Sequence, residues 1–260
     1  ETDNLLGRLA RYYNALSYTA DKDYSKAIAA FDQLLVEKAD FIEVISARVK
    51  TQVQMGQSQQ ARTFLSQQAA KFPNDAVIFN LLGELALTAN DLPKAIGAFQ
   101  TAIKLKDTWV VPYSHLANAQ RKSNNITAAE NTLQTGLQKQ PNNFLLLNDL
   151  ASLYEANAQH DNAINLYQTF YNNNGQPEVV GNNLAMLLAT YKSDAHSNAQ
   201  ALTLAERLRT TKNPLFLDTA GWVYFKQGRI ADAKNILKDA QSKFDSPVIN
   251  YHLGAVYLAE

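Results

Sequence analysis

No cysteine occurs among the 260 residues. Disulfides, thiolate zinc sites and a cysteine nucleophile are thereby excluded, while the compartment stays open, because cysteine-free chains occur on both sides of a membrane. Neither charge is in excess: 24 Lys and Arg oppose 24 Asp and Glu. The basic surplus with which nucleic-acid binders neutralise phosphate is missing, so no nucleic-acid partner is expected. No apolar run approaches the ~18 residues that span a bilayer, so this segment is not expected to insert into a membrane. No signal peptide is visible and the chain opens at Glu1 rather than Met, which predicts a fragment whose addressing segment has been removed. Glycine and proline are sparse, at 10 and 7 residues. Val and Ile do not alternate between turn signals, and with Ala, Asn and Gln abundant the balance favours helix over sheet.

Catalytic motifs are missing too. The glycines never gather as GxGxxG or as a Walker loop, and no GxSxG elbow occurs. Four histidines are present, His115, His160, His196 and His252. His115 and His252 fall at one repeat position four repeats apart, too far to share a metal at ~10 Å per packed helix layer. His160 is expected in an inter-helix turn and His196 in an insertion. The pair Asp21 and Asp23 reads as a solvated turn and helix cap rather than an acid/base couple. The expectation is a chain that is not an enzyme and has no metal site and no small-molecule cofactor.

What is present is a period. The stretch LDTAGWVYFKQGRIADAKNIL at 217–237 is echoed by FNLLGELALTANDLPKAIGAF at 79–99, YSHLANAQRKSNNITAAENTL at 113–133 and LLNDLASLYEANAQHDNAINLY at 146–167. Starts at 8, 42, 76, 110, 144 and 178 are 34 residues apart, and two more follow at 214 and 247. One position is Ala in all seven complete units: Ala27, Ala61, Ala95, Ala129, Ala163, Ala201 and Ala233. Ala is 37 of 260 residues, so chance does not supply seven matches in seven. Ala201 requires four inserted residues, which assigns YKSDAHSNAQ at 191–200 to a lengthened inter-helix turn.

The spacing and the residues resemble the tetratricopeptide repeat, a helix–turn–helix unit of 34 residues. That family places a small residue at repeat position 8, matched by Ala15, Gly83, Ala117, Ala151, Ala185, Gly221 and Gly254, with Val49 departing. Tyr at position 11 is matched by Tyr18, Tyr154, Tyr224 and Tyr257. A bulky residue at position 24 is matched by Phe31, Leu65, Phe99, Leu133, Tyr167 and Leu237, and the closing proline by Pro73 and Pro141. The second unit is weakest, with Arg48 where Leu is usual. Two helices nest closely only where one presents a small side chain, and the bulky positions fill the groove beside that contact. Gly56 and Gly228 suit left-handed turns, Pro93 a first helical turn, and Pro112, Pro177, Pro214 and Pro247 the repeat boundaries.

The resemblance implies an all-α fold, a right-handed superhelical solenoid. It forms one domain over 1–260 with repeats 8–41, 42–75, 76–109, 110–143, 144–177, 178–213 and 214–246 and a partial one at 247–260. In this family the first helices line the inner wall, and a protein or peptide partner lies there. Transferring the inward positions selects Asn80, His115, Asn118, Arg121, Asn148, Asp149, Asn182, Asn183, Asp218, Trp222, Tyr251 and His252 as partner-binding candidates, with Ser114, Ser152, Glu155 and Thr219 beside them. The lining is amide-rich and nearly neutral, and Asn both donates to and accepts from a peptide backbone. The lysines with which co-chaperone versions clamp an acidic tail are replaced by Ser114, Asn148 and Val179, which argues against that use.

The words NNLAMLLA (182–189), ALTLAERL (201–208), LDTAGWVYFKQGRIADA (217–233) and YHLGAVYL (251–258) resemble the C-terminal repeats of PEP-CTERM-system repeat lipoproteins, the PrsT type. That likeness implies a bacterial envelope assembly, periplasmic or lipid-anchored, linked to exopolysaccharide export or surface-protein sorting. A cytoplasmic adaptor or regulator, and the repeat region of a larger enzyme, stay open as alternatives. Residues 247–260 form a first helix whose apolar face has no second helix, which predicts that the native chain continues.

Overall fold

The structure, a computed structural model, describes residues 2–175 and 177–260. Among them lie fifteen α-helices and no strand. The helices are α1 Thr2–Ala20, α2 Tyr24–Glu37, α3 Ile42–Gln54, α4 Ser58–Lys71, α5 Ala76–Thr88, α6 Leu92–Leu105, α7 Val111–Lys122 and α8 Ile126–Lys139. They continue as α9 Phe144–Ala156, α10 His160–Asn173, α11 Glu178–Tyr191, α12 Ala195–Leu208, α13 Pro214–Lys226, α14 Ile230–Lys243 and α15 Pro247–Leu258. The proposed repeat starts 42, 76, 144, 178, 214 and 247 are each the first residue of a helix, and 110 lies one residue before α7. The start at 8 falls inside α1. Two compact units form, one ending at Pro141 and the other Asn142–Glu260.

No proline interrupts a helix. Pro93 and Pro112 sit in the first two positions of α6 and α7, Pro214 and Pro247 open α13 and α15, and Pro177 precedes α11. Six inter-helix turns share one conformation. Lys22, Gly56, Asn90, Asn124, Ala158 and Gly228 each hold the middle position with φ between 56° and 75°. The residue after each returns its N–H to the carbonyl five residues back, as in Asp91 to Ala86 at 2.8 Å and Arg229 to Tyr224 at 2.9 Å. This is a Schellman closure, which satisfies carbonyls the helix end would otherwise leave bare.

The sixth repeat departs, and not as its sequence predicts. Its turn, residues 192–194, has three residues like the others. The four extra residues are helical: α11 runs one residue longer than α9 or α13, and α12 begins one turn early, so that Ala201 stands seventh in its helix where Ala163 and Ala233 stand fourth. No left-handed residue is available here. Lys192 and Asp194 are extended instead, and the Asp194 carboxylate accepts from Ser197 N–H at 2.9 Å and starts the helix at once. His196 therefore lies on α12 rather than in a loop. His160 likewise opens α10 instead of lying in the turn, its ring stacked on Tyr191 with centroids 3.6 Å apart.

Small residues set the packing. All seven alanines of the repeated position are fully buried. A Cβ built on Gly83 would stand 2.4 Å from the Phe99 ring, and one on Gly221 2.6 Å from Leu237. The position-24 side chain thus lies directly over the position-8 glycine, and a methyl group has no room between them. The first core cluster shows how a repeat leans on the next: Ala15, Ala27, Phe31 and Leu34 pack with Phe41, Val44 and Ala47. Arg48, the misfit of the second repeat, is held by Asp32 at 2.5 Å and Gln52 at 2.8 Å, with its guanidinium 3.9 Å from the Phe64 ring centroid. Its charge is paired and its stem covers apolar surface.

Within each unit first helices also touch first helices. α1 meets α3, α3 meets α5 and α5 meets α7 in the first unit; α11 meets α13 and α13 meets α15 in the second. Second helices make no such close backbone approach among the described residues, although α10 and α12 meet through side chains, with Arg207 donating to the Tyr171 hydroxyl at 2.7 Å. One first-helix pair of the second unit, α9 and α11, does not close up in this way.

Candidate functional site

The opening between α9 and α11 is lined rather than filled. α9 presents Asn148, Ser152 and Glu155, one turn apart on a single helix face. α11 presents Asn182, Asn183, Met186 and Leu187, and α13 adds Thr219. Between them Tyr167 rises from α10. The open cleft they line has a volume of about 320 Å³, near the lower end of the ~300–1,000 Å³ over which ligand pockets fall.

Its polar groups form a directed chain. Asn182 Nδ2 donates to Asn183 Oδ1 at 3.2 Å, and Asn183 Nδ2 donates to the Tyr167 hydroxyl at 3.1 Å. The hydroxyl donates on to Asn148 Oδ1 at 2.9 Å, which also receives Asn183 Nδ2 at 3.4 Å. Each amide's orientation follows from its neighbour's, and two ends are left over. At one end Asn182 Oδ1 is buried with no hydrogen-bond partner. At the other, Asn148 Nδ2 meets no acceptor among the described residues. A buried acceptor without a partner and a free donor at the same cleft complement the N–H and C=O of an extended peptide.

Burial raises the Tyr167 hydroxyl above its ordinary pKa; the Asn183 hydrogen bond opposes this and the Glu155 charge adds to it. The phenol stays protonated and keeps its role as a relay. Burial likewise raises the Glu155 carboxyl, against a smaller opposing pull from His160.

The other predicted residues fall into separate groups. In the first unit Asn80 donates to Glu84 at 2.6 Å and pairs with His115 Nδ1 at 3.0 Å, and Arg121 donates to Asn118 at 3.1 Å. In the second unit His252 Nδ1 lies 2.9 Å from Asp218, with Trp222 stacked on the imidazole at 4.2 Å and Tyr251 exposed beside it. Asn80, Asp218 and His252 are 3%, 4% and 6% exposed, so their polar groups serve inter-repeat contacts and have little surface to offer. Asp149 keeps a buried, unpartnered Oδ2, but the cavity wall does not include it. A wider cleft of about 720 Å³ runs between α10 and α12, where Gln200 donates to Gln168 and Gln168 to Asn172, so these amides satisfy one another. Among the described residues no His, Asp and Glu side chains gather as a metal-holding group, and no helix is long and apolar enough to cross a membrane.

Tyr167 is the residue that repeat reasoning misplaces. It occupies the groove-filling position held elsewhere by Phe31, Leu65, Phe99, Leu133 and Leu237. The one signal for its second role is the hydroxyl that sets it apart from that series.

Two family models described as "Tetratricopeptide repeat" match residues 18–85 and 115–177, together just over half of the chain. The TPR repeat-containing protein PA4667 of Pseudomonas aeruginosa is 23% identical over 251 residues, covering 96% of this chain. The chain spans about a third of that relative's length, 35%. Among solved structures, a tetratricopeptide repeat protein from Parabacteroides merdae superimposes with a TM-score of 0.53 at 13% identity over 96% of this chain and 98% of its own. Yeast Tom70 gives 0.57 at 13% identity over 92% of this chain and 60% of its own. At such identities the structural likeness speaks to the fold alone.

Proposed function

The chain belongs to the tetratricopeptide repeat family, and from that premise we propose that it is a non-catalytic scaffold that holds an extended segment of a protein partner between α9 and α11. The family's fold is typical of protein–protein interaction. The observation that carries the reading is the buried, unpartnered acceptor Asn182 Oδ1 at one end of an amide relay whose other end is the free donor Asn148 Nδ2. Leaving a buried carbonyl oxygen without a donor costs ~1–3 kcal/mol, and a ligand N–H removes that cost. Tyr167 positions the relay, and Met186 and Leu187 give apolar wall to the side chains of the bound segment.

Binding of a library of capped peptides to the full chain tests this. Asn182→Ala is expected to weaken the peptides that bind by about three- to tenfold, the worth of one hydrogen bond, without lowering the melting temperature, since the orphaned oxygen leaves together with the bond to Asn183. Equal affinity for wild type and variant would remove the cavity from the binding surface.

The setting proposed for this scaffold is a bacterial envelope assembly serving exopolysaccharide export or surface-protein sorting. Its support is the likeness of the words at 182–189, 201–208, 217–233 and 251–258 to the repeat lipoproteins of such systems. Fractionation of host cells decides it: recovery with the envelope supports the assignment, and recovery in the cytosol overturns it.

A further inference from the structure

We infer that the cavity between α9 and α11 selects a basic side chain, Lys or Arg, seated against Glu155. The inference rests on the peptide-holding reading and adds the identity of the residue that reading leaves unspecified.

Charge is the first argument. Among the cavity-lining residues Glu155 carries the one formal charge, and neither Lys nor Arg is among them. Several carboxylates elsewhere on the chain are met by cations: Arg11 meets Glu37 at 2.6 Å, Lys139 meets Asp107 at 2.6 Å, and Glu206 has Arg209 at 2.6 Å and Arg229 at 3.4 Å. No hydrogen bond or ion pair reaches the Glu155 carboxylate among the described residues. Burial nonetheless raises its pKa, as befits a carboxylate partly withdrawn from water without a counter-cation.

Donor balance is the second. The unmet buried group in the wall, Asn182 Oδ1, is an acceptor, as are both oxygens of Glu155. A ligand that answers them must bring several donors. An ammonium offers three and a guanidinium five, with no acceptor to clash. An acidic or purely apolar side chain answers neither group. Shape agrees: Met186 and Leu187 supply apolar wall for an aliphatic stem while the charged head reaches Glu155. Because the whole chain is neutral, this preference is local and does not derive from long-range steering.

The test uses acetylated, amidated peptides of Ala and Ser with one variable position, titrated against the full chain. Peptides carrying Lys or Arg are expected to bind about five- to thirtyfold more tightly than those carrying Gln or Glu, between the worth of exposed and buried charge pairs. Glu155→Gln should abolish that preference, Glu155→Asp should retain part of it, and added salt should weaken it. Peptides that bind with no basic preference, or with a preference unchanged in Glu155→Gln, overturn the inference and leave the peptide-holding reading standing. Failure of every peptide to bind overturns both.

Discussion

The Tyr167 hydroxyl donates to Asn148 Oδ1 at 2.9 Å across a helix–turn–helix, and receives Asn183 Nδ2 from the following repeat at 3.1 Å. A single packing residue thereby aligns amides from two repeats. Tyr167→Phe keeps the ring, which is 3% exposed, and removes only the relay. The expected stability cost is ~1 kcal/mol, one net hydrogen bond, seen in denaturant unfolding at unchanged slope. Peptide affinity should fall further than that figure implies, because Asn148 and Asn183 lose their fixed orientation. A variant that unfolds earlier yet binds as tightly as wild type would confine Tyr167 to packing.

Two glycines of one repeat position predict opposite outcomes. A Cβ on Gly221 would stand 2.6 Å from Leu237, whereas one on Gly254 would meet nothing within 4 Å. Gly221→Ala is therefore expected to destabilise by ~1–3 kcal/mol through overpacking. Gly254→Ala gains up to ~1 kcal/mol of helix propensity with no clash. Thermal melts of the two variants suffice; a shift of the same sign in both would mean that conformational freedom, not close approach, selects glycine here.

That contrast shows what was legible in the sequence. Repeat starts from 42 onward could be read to within a residue because Ala or Gly recurs where helices nest, Val49 excepted. The sixth repeat could not be read so, since an insertion between two fixed positions is equally consistent with a longer loop or a longer helix. The Asp194 cap, visible only in its contacts, decides for helix. The candidate cleft was half legible. Asn148, Asn182 and Asn183 follow from the repeat register, but Asn80, Asp218 and His252 share that register and are buried in inter-repeat contacts. Register gives the direction of a side chain. Whether a neighbour covers it depends on which pairs of first helices close up, and no single repeat contains that information.

Ala158 holds φ 56° at the centre of its turn, where Gly56 and Gly228 hold 75° and 73°. A left-handed backbone costs an alanine ~1–2 kcal/mol, and Schellman geometry keeps the residue there. Ala158→Gly is expected to stabilise the chain by ~0.5–1 kcal/mol, the gain at the turn less the extra entropy glycine loses on folding. The same change at Lys192, whose backbone is extended at φ −119°, should not stabilise. Paired melts check both, and stabilisation at Lys192 would discredit the turn argument.

Glu155 gives the pH dependence its sign. Burial raises its folded pKa above the ordinary glutamate value, so the folded chain holds this proton more tightly than the unfolded one. Between the two values the folded state binds more protons, and stability falls as the pH rises. The contribution is complete below the ordinary glutamate pKa and is lost as the pH passes the raised folded value. His160 opposes the shift without reversing it. Glu155→Gln, which mimics the neutral acid, should therefore match wild type in acid and exceed it at neutral pH. A saturating Lys-containing peptide should narrow the neutral-pH gap, because it stabilises wild type through the charge that Gln lacks. Melting curves from acid to neutral pH, with and without that peptide, separate the two effects: a gap that is constant with pH excludes Glu155 titration as its origin.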